Sequence, residues 1–473
     1  MTRVAVVGGG VSGLTAAYRL RQALGRDASI TVLELSDRPG GKLRTVDLAG
    51  HRYDVGAEAY LARRPELTAL VNELGLGATL VHPTDARANI RAGGRIRPIP
   101  TGTVLGVPTG VAEVSGVLSE AGLRRLAGES ELPPLVLQGT DVSVGKLLTD
   151  RLGPEVPDRL VDPLLGGVYA GRAHSLGLRA TMPALAAKLD EGVGSVLAAA
   201  ADLAPPPTPD GGRAPVFGTL AGGLGGLVDR LARASGALIR YGLPVRALHR
   251  QEHGWRLELG SAAHPDHLDA DAVVLAVPAP AARKLLADVS PAASAAYGRI
   301  GLASMAVVAL ALPADVRLPR SSGVLLGSGE THRDGTPFTA KAFTFSSRKW
   351  DHLAGPEHAL VRGSVGRFGE TEILQRDDAE LVTAVRGDLA ELTGITASPV
   401  DSIVTRWGGG LPQYGVGHLE LVDTIERSVA ELPGLAVAGA ALHGVGLPAC
   451  VASADRAVRA VVSQLSSPGR SPS

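Results

Sequence analysis

The strongest constraint on the fold lies in the first 34 residues of the chain. Residues 4–7 are a continuous apolar run, as in a strand buried on both faces of a parallel sheet. Residues 8–13 (GGGVSG) follow with the spacing G-x-G-x-x-G, and apolar residues then recur at helical intervals. A second apolar run at residues 30–33 ends in Glu34. This order of strand, glycine turn, helix, strand and acid predicts a Rossmann-like domain that binds a dinucleotide.

Each glycine of this first turn has a physical task. Gly8 permits a tight turn, Gly10 lets the backbone approach a pyrophosphate, and Gly13 lets the helix pack closely on the strand. The free N–H groups at the helix start and the positive end of the helix dipole would hold the phosphate charge. Glu34 can accept hydrogen bonds from a ribose diol. The turn residues predicted to bind the cofactor are Gly8, Gly9, Gly10, Val11, Ser12 and Gly13.

Two further glycine turns suit a long dinucleotide. Residues 36–42 (SDRPGGK) place Arg38 and Lys42 around a second turn, and residues 53–58 (YDVGAE) contain a third. With these motifs the chain resembles the family of FAD-containing amine oxidases, phytoene desaturases and protoporphyrinogen oxidases. In that family an acid, R-x-G-G-[RK] and D-x-G-x-E occur in succession and mark FAD, although Arg is commoner at the position of Lys42. The resemblance therefore implies non-covalently bound FAD.

Composition excludes several other classes of protein. A chain of 473 residues, 45% apolar and 20% charged, is typical of a soluble globular protein with two interleaved domains. Basic and acidic residues are equal at 47 each, which argues against a nucleic-acid partner. The single Cys450 fits a reducing compartment, and neither a signal peptide nor a long apolar span is visible. We expect a cytoplasmic protein without stable membrane insertion.

The order of the segments predicts an α/β fold in which a Rossmann-like FAD-binding domain is interleaved with a mixed-sheet substrate domain and a helical subdomain. Residues 87–99 predict a hairpin around Gly93 and Gly94, with Ile90 opposite Arg97 and Arg91 opposite Ile96. A proline-rich stretch at residues 204–212 predicts a surface loop. The expected boundaries are 1–85, 218–280 and 401–465 for the FAD-binding domain, 86–104 and 281–400 for the substrate domain, and 105–217 for the helical subdomain.

Over nearly its whole length the chain is similar to the bacterial coproporphyrinogen III and protoporphyrinogen oxidase family, most of all to its Gram-positive coproporphyrin-dependent branch. Two departures from the family pattern are Gly166, where Ser is usual, and residues 408–410 (GGG), where bulkier residues are usual. The stretches that carry the similarity are residues 96–100 (IRPIP), 162–171 (DPLLGGVYAG), 346–350 (SSRKW), 366–369 (GRFG), 412–414 (PQY) and 444–448 (GVGLP).

This resemblance implies an oxidation of coproporphyrinogen III to coproporphyrin III in heme biosynthesis. Flavin N5 takes a hydride from the substrate, molecular oxygen reoxidises the flavin to give hydrogen peroxide, and three cycles remove six electrons. No catalytic side chain is expected, and the sequence shows no nucleophile triad and no metal-ligand spacing among its 12 His residues. The implied partners are a porphyrinogen, molecular oxygen and, transiently, a downstream ferrochelatase.

The resemblance also implies a set of site residues. Near residues 443–450 a strand, a glycine turn and a helix start would place N–H groups beside the isoalloxazine ring. Beyond the first turn, the implied cofactor-binding residues are Glu34, Leu35, Arg38, Lys42, Gly56, Ala57, Glu58, Ala59, Val245, Trp407, Val445, Gly446 and Leu447. The implied substrate residues are Arg87, Gly167, Val168 and Tyr169.

Three alternative functions stay open. The first is a protoporphyrinogen IX oxidase; because coproporphyrinogen III carries four propionates and protoporphyrinogen IX two, cationic residues such as Arg87, Arg91, Arg172 and Arg179 favour the former. The second is a flavin amine oxidase, which would hold its amine between aromatic rings. The last third of the chain offers little for this beyond Trp407 and Tyr414. The third is a porphyrin-binding flavoprotein without turnover.

Overall fold

Arg3–Val7 is the central strand of a five-stranded parallel sheet, here called the nucleotide sheet. All four pairs of neighbouring strands in this sheet are parallel, and the strands come from separate stretches of the chain. This confirms the predicted Rossmann-like, interleaved fold. In spatial order the strands are Leu238–Arg240, Ser29–Leu33, Arg3–Val7, Ala272–Leu275 and Leu435–Val437. The computed structural model on which this description rests describes residues 1–204, 215–261 and 263–466.

Helices cover both faces of the nucleotide sheet. On one face Ala16, Ala17 and Leu20 pack with Ala454 and Val458 and are at most 5% exposed. The opposite face buries Ala5 and Val7 against a second set of helices. The helices of the first face are Val11–Leu24 and Leu447–Ser466, with Gly225–Ser235 and Pro65–Glu73 beside them; those of the second are Ala279–Leu286, Pro291–Gly298 and His418–Ala430.

A seven-stranded mixed sheet, here called the large sheet, forms the second layer system. Its helix Asp378–Thr393 packs on one face through Leu381, Val385 and Leu389. The predicted hairpin is present, with Ile90 opposite Arg97 and Arg91 opposite Ile96. In spatial order the strands are Asp401–Pro412, Leu302–Pro313, His358–Val365, Ala340–Phe345, Gly323–Leu326, Ala88–Ala92 and Arg95–Pro98.

The stretch of chain between the large-sheet strand Arg95–Pro98 and the strand Phe217–Leu220 is mostly helical where the structure describes it, as expected. It also contains a two-stranded ribbon, Thr103–Val104 with Val107–Pro108, because Leu105 and Gly106 both have positive φ and turn the chain back. The loop predicted at residues 204–212 lies, except for its first residue, outside the described residues. The helices are Glu120–Ala127, Val144–Leu152, the π-helical turn Pro157–Val161, Asp162–Tyr169, Leu178–Thr181, Pro183–Asp190 and Val196–Leu203.

Among the described residues, no helix combines the length and the apolar character that crossing a membrane requires.

Several small elements connect these layers. The small sheets are Thr45–Leu48 with His51–Asp54; Tyr60–Leu61, Phe217–Leu220 and Leu80–Val81; and Val245–Arg250, Trp255–Gly260 and Pro265–Ala270. Ser346–Lys349 is a one-turn α-helix, and 3-10 turns lie at Gly77–Thr79, Ala112–Val114, Gly128–Glu131, Ala173–Ser175, Asp351–Leu353 and Glu372–Gln375. The exact domain boundaries stay a prediction.

Candidate functional site

The glycines of the first turn differ in what surrounds them. A Cβ on Gly8, whose φ is +102°, would lie 2.4 Å from the carbonyl oxygen of Ala276, and a Cβ on Gly13 would lie 1.9 Å from that of Gly8. A Cβ on Gly10 would meet no described atom within 4 Å. Packing within the protein therefore requires glycine at 8 and 13 but not at 10. A bare backbone at Gly10, the N-cap of Val11–Leu24, suits the close approach of a pyrophosphate.

The second glycine turn packs directly against the first. The Gly40 amide donates to the Gly9 carbonyl at 2.7 Å. The Arg38 guanidinium donates to the carbonyl oxygens of Pro39, Gly41 and Leu43 at 3.1, 3.1 and 3.3 Å, but in the described chain it has no carboxylate partner. Burial lowers the pKa of Arg38, with a further contribution from Arg44. Hydrogen bonds to carbonyl oxygens do not neutralise a guanidinium, so an arginine held in this way can still pair with an anionic ligand.

Lys42 is a second cation to which the described residues supply no acidic partner. Its ammonium group makes no hydrogen bond or ion pair within the described residues, burial lowers its pKa, and it interacts electrostatically with buried Cys450. The Ser12 hydroxyl donates to the Cys450 carbonyl at 3.2 Å, so the first turns of Val11–Leu24 and Leu447–Ser466 adjoin. Two positive helix ends and an unpaired ammonium therefore lie close together. The arrangement fits a flavin dinucleotide, and Lys42 with the turn at Val445, Gly446 and Leu447 would hold it.

Glu34 ends the strand Ser29–Leu33 beside the first turn. Its Oε2 accepts from the Gly9 amide at 2.7 Å, and its Oε1 accepts from the amide and hydroxyl of Ser36 at 2.8 and 2.7 Å. The Leu243 amide donates to the Glu34 carbonyl at 3.1 Å, which anchors the segment leading into Val245. Leu35 is 69% exposed. Three of the predicted cofactor-binding residues, Glu34, Leu35 and Val245, thus belong to adjoining segments at the end of this strand.

Glu34→Ala should weaken flavin retention and leave the fold intact. The variant removes an acceptor for the ribose hydroxyls, and a hydrogen bond to a charged group contributes roughly 1.5–3 kcal/mol. We expect the Kd of FAD to rise by about tenfold or more, measured by titrating apoprotein and following flavin fluorescence. Unchanged FAD affinity in a variant with native circular dichroism would contradict the assignment, and Glu34→Gln, which keeps one acceptor, should lose less.

The third glycine turn meets the second at Lys42. A Cβ on Gly56 would lie 2.0 Å from the Lys42 carbonyl oxygen, which also accepts from the Ala57 amide at 3.1 Å. Trp407 Nε1 donates to the Val55 carbonyl at 2.9 Å, and the indole ring borders Gly56. The structure thus brings Lys42, Gly56, Ala57 and Trp407 together. Ala59, two residues after Ala57, is half-buried. Their contacts with FAD stay a prediction.

Glu58 joins this turn to the large sheet. Its Oε1 lies 2.5 Å from Lys349 Nζ and its Oε2 lies 3.2 Å from Arg362 Nη1. The side chains of Glu58 and Lys349 are each 18% exposed and that of Arg362 is 10% exposed. Burial alone would raise the pKa of Glu58, but the two cations hold it at about 2. The sequence motifs did not reveal this three-membered ion-pair network, because its members lie far apart in the chain.

Asp54, in the same turn, has the opposite electrostatic behaviour. Burial raises its pKa from 3.8 to about 6, although Thr45 Oγ1 donates to it at 2.5 Å and the Leu224 amide at 3.0 Å. Since the folded-state pKa is raised, between pH about 4 and 6 the folded protein holds a proton that the unfolded chain has released. The resulting stabilisation is complete below pH about 4 and is lost as the pH rises through 6.

Asp54→Asn should remove this pH dependence. Relative to the variant, the wild-type protein should lose up to about 3 kcal/mol of unfolding free energy between pH 4 and pH 7, which corresponds to a shift of about two pKa units. Urea unfolding of both proteins at four pH values measures the difference, in which all other titrating groups cancel. A difference that does not change with pH would show that Asp54 is solvated in the folded protein.

Four of the stretches that carried the family resemblance meet at a second point. The rings of Tyr169 and Tyr414 lie 5.5 Å apart between centroids, and Gln413 Nε2 donates to the Tyr169 carbonyl at 2.6 Å. The Phe368 amide donates to the carbonyl of Ala170 at 2.6 Å, and the Gly444 amide donates to the Tyr414 hydroxyl at 2.7 Å. Residues 162–171, 366–369, 412–414 and 444–448 therefore form one cluster beside the predicted flavin turn.

The predicted substrate residues are divided by the fold. Gly167 is exposed and Val168 is 45% exposed, whereas Tyr169 is 7% exposed and packs on Tyr414. Arg87 is exposed, and the structure gives its side chain no partner among the described residues. Its role stays a prediction. The other candidate arginines already have acidic neighbours: Arg91 pairs with Glu330, Arg172 with Glu370 and Arg179 with Asp190.

Gly166 lies beside Arg367. A Cβ on Gly166 would lie 2.8 Å from Arg367 Nη1, so a larger side chain at this position would require the guanidinium to shift. Sequence reasoning quoted the GRFG stretch for its resemblance but gave Arg367 no role. It also passed over Lys341, a lone charge in the otherwise uncharged strand Ala340–Phe345. A charged residue inside such a strand is the signal that could have identified it.

One cluster of metal-ligand type lies away from this site. His51 Nε2 and His358 Nδ1 are 3.2 Å apart, and Glu357 completes a group whose ligand atoms lie within 4.8 Å of one another. The two imidazoles can share a hydrogen bond, which joins the hairpin Thr45–Asp54 to the start of His358–Val365. Spacing along the sequence could not predict this group, because the two histidines are 307 residues apart.

Comparison with known proteins identifies the family. A family model described as "Flavin containing amine oxidoreductase" matches residues 11–462. Proteins named "Coproporphyrinogen III oxidase" are similar over nearly their whole length. The one from Mycobacterium tuberculosis is 44% identical over 463 residues, covering 97% of each chain, and the one from Bacillus subtilis is 30% identical over 477 residues, covering 96% of this chain and 97% of that one.

Solved structures agree with the sequence comparisons. A crystal structure of an Exiguobacterium sp. protein assigned to the protoporphyrinogen oxidases has a TM-score of 0.85 and 32% identity, covering 98% of this chain and 99% of that one. A putrescine oxidase has a TM-score of 0.68 at 17% identity and covers 98% of this chain and 99% of its own, which shows a shared fold. The FAD predicted from the glycine turns is a cofactor of the class that the matching family contains. This chain therefore belongs to the flavin containing amine oxidoreductase family and is an oxidoreductase.

Proposed function

We propose that this protein is an FAD-dependent oxidase that converts coproporphyrinogen III to coproporphyrin III. The observation that carries the proposal is the 44% identity, over 97% of both chains, with a mycobacterial protein that bears this name. The proposal includes molecular oxygen as the electron acceptor, hydrogen peroxide as the second product, a cytoplasmic location and transient contact with a downstream ferrochelatase. It does not include a nucleic-acid partner or stable membrane insertion.

The chain's own residues position the reactants and shape the charge around them. When bound, FAD supplies the hydride acceptor, so the substrate's electron-rich CH2 bridges need no strong protein base. Of the two histidines that follow Tyr414, His418 is buried, which lowers its pKa, and its Nε2 lies 2.9 Å from the Leu442 carbonyl, while His443 Nε2 lies 2.7 Å from Glu426 Oε1. The helix start at Leu447 would stabilise negative charge on a flavin bound there.

The geometry supports amine oxidation less well. An amine held between two aromatic rings needs about 7 Å between their planes, twice an ordinary van der Waals separation. Tyr169 and Tyr414 are 5.5 Å apart between centroids, and the Tyr414 hydroxyl is engaged with the Ala440 carbonyl and the Gly444 amide. Trp407 is held to Val55 and borders Gly56. These rings pack on the protein and leave no aromatic sandwich among the described residues.

A turnover assay tests the proposal. FAD-loaded protein is mixed in air with coproporphyrinogen III, and porphyrin fluorescence and peroxide are followed together. We expect coproporphyrin III with three equivalents of hydrogen peroxide per porphyrin, and higher kcat/KM than for protoporphyrinogen IX. Porphyrin binding without turnover would favour a non-catalytic flavoprotein, faster oxidation of protoporphyrinogen IX would favour that substrate, and oxidation of amines alone would favour an amine oxidase.

A further inference from the structure

Two buried cations lie side by side next to the helix Asp162–Tyr169. Lys341 is 6% exposed and Arg367 is 9% exposed, and together they are called the cationic pair below. Lys341 Nζ donates to the Gly366 carbonyl at 2.7 Å, while Arg367 Nη1 is buried and has no hydrogen-bond partner among the residues that the structure describes. In the described chain neither residue forms an ion pair with a carboxylate. Such groups are costly to bury unless an anion accompanies them.

The nearby carboxylates are committed to other cations or donors. Arg362, which interacts electrostatically with Lys341, is paired with Glu58 at 3.2 Å. Glu370 interacts electrostatically with both members of the cationic pair, but its Oε1 lies 2.5 Å from Arg172 Nη2. Asp162 accepts from the Ser328 hydroxyl at 2.5 Å and from the Ala173 amide, and it also interacts electrostatically with Arg367. The surroundings therefore leave the cationic pair with an excess of positive charge.

Burial and mutual repulsion show in the pKa values. Burial, together with the neighbouring Arg367, lowers the pKa of Lys341 to about 7, and burial and Arg172 lower that of Arg367. Both shifts mean that the charged forms are insufficiently compensated in the protein as it stands. An anion placed between the two groups would reverse both shifts.

The cationic pair adjoins the segment predicted to contact the substrate. Arg367 Nη1 lies 2.8 Å from the position of a Cβ on Gly166, and Gln413 Oε1 lies 2.2 Å from that of a Cβ on Gly171. Gln413 Oε1, like Arg367 Nη1, is buried and has no partner in the described part of the chain, and Gln413 Nε2 donates to the Tyr169 carbonyl. Unpaired polar atoms thus border the same helix end that presents Gly167 and Val168.

We propose that Lys341 and Arg367 form a subsite that receives a carboxylate of the substrate. The inference rests on the proposed function, in which that carboxylate is a propionate of coproporphyrinogen III. A guanidinium matches a carboxylate with two parallel hydrogen bonds, and an ammonium adds a compact charge to the same oxygens. A substrate with a neutral group at this position would leave the two cations unpaired, so the subsite discriminates in favour of propionates.

Binding of the product to FAD-loaded protein tests the subsite. Coproporphyrin III and its tetramethyl ester share one ring system, but only the former has carboxylates. Lys341→Met and Arg367→Met should each weaken coproporphyrin III binding by about tenfold or more, because each removes a charge-assisted contact of roughly 1.5–3 kcal/mol. Affinity for the ester should not change. Arg95→Met is the matched control: it removes one charge from an exposed position on the same sheet and should change neither affinity.

A pH series on the unmodified protein gives a second measurement that needs no variant to fold. The charged groups that face Lys341 are Arg362, Arg367 and Glu370, and arginine and glutamate side chains do not change charge between pH 7 and 9. Affinity for coproporphyrin III should fall as the pH rises above 7, whereas affinity for the ester should stay level. Lys341→Arg should bind the acid with little dependence on pH, because the guanidinium stays charged.

Two outcomes would overturn the subsite. One is unchanged coproporphyrin III affinity in both methionine variants with their flavin content intact. The other is an equal loss for the acid and the ester, which would indicate a packing effect. Failure of the wild-type protein to oxidise coproporphyrinogen III would instead contradict the proposed function and would be seen separately in the turnover assay.

Discussion

Replacing Gly10 with alanine is expected to give a folded protein that no longer retains flavin. The added methyl group meets no described atom within 4 Å, so the fold has room for it. It would, however, stand where the backbone must approach a pyrophosphate, and the phosphate contacts of a helix start depend on that approach. We expect a colourless preparation with native circular dichroism and a thermal transition close to that of wild-type apoprotein.

Gly13→Ala is the matched comparison, because it makes the same chemical change three residues later. There the methyl group would lie 1.9 Å from the Gly8 carbonyl oxygen, which is backbone and cannot turn aside. We expect this variant to be largely insoluble or unfolded, whether or not FAD is supplied. A Gly10→Ala protein that keeps its yellow colour, or a Gly13→Ala protein as stable as the wild type, would show that the glycines have been assigned to the wrong tasks.

The second large effect is expected from Glu58→Gln. Removal of the carboxylate leaves Lys349 and Arg362 buried without their anion, and breaking a buried pair in this way costs about 3–5 kcal/mol. Urea unfolding of the FAD-loaded protein at pH 7 measures the loss. Because the pKa of Glu58 is held at about 2, the carboxylate's contribution is complete above pH about 4.5 and is lost only as the pH falls toward 2.

The control for Glu58→Gln is Glu66→Gln. Glu66 pairs with Arg64 at 2.6 Å, but the two side chains are 26% and 47% exposed, and such pairs contribute about 1 kcal/mol or less. Similar losses in the two variants would mean that the Glu58 network is solvated and does not hold the third glycine turn against the large sheet. A loss confined to Glu58→Gln would assign that task to the network.

Local patterns were sufficient to predict the nucleotide sheet and the hairpin. The glycine spacing at residues 8–13 indicates a strand before the turn and a helix after it. Gly93 and Gly94 set the hairpin register that places Ile90 opposite Arg97. The partners of Glu58 could not be predicted, because Lys349 and Arg362 follow it by 291 and 304 residues. No spacing rule applies over such distances, and only the tertiary fold brings these charges together.

The same limit explains why the sequence did not reveal the cationic pair and did not show which arginines are free to bind a propionate. The sequence alone identifies an arginine as a candidate partner for a propionate, but it does not show whether that arginine is already paired with an acidic residue of the protein. Arg91 and Arg179 each have such an acid, Glu330 and Asp190. Arg367 has no such acid among the described residues, and no spacing along the chain indicates that its guanidinium lies beside Gly166.

The interleaving of the nucleotide sheet has a consequence for synthesis of the chain. Arg3–Val7 pairs with Ala272–Leu275, whose other edge is completed only by Leu435–Val437. The helix that begins at Leu447 emerges later still. A ribosome-bound chain therefore exposes an apolar sheet edge through most of translation, and closing such long loops slows folding. The predicted flavin turn is made together with this helix, so flavin loading is expected only once the helix has been synthesised, and the yield of holoprotein in an expression host should depend on chaperones and on flavin supply.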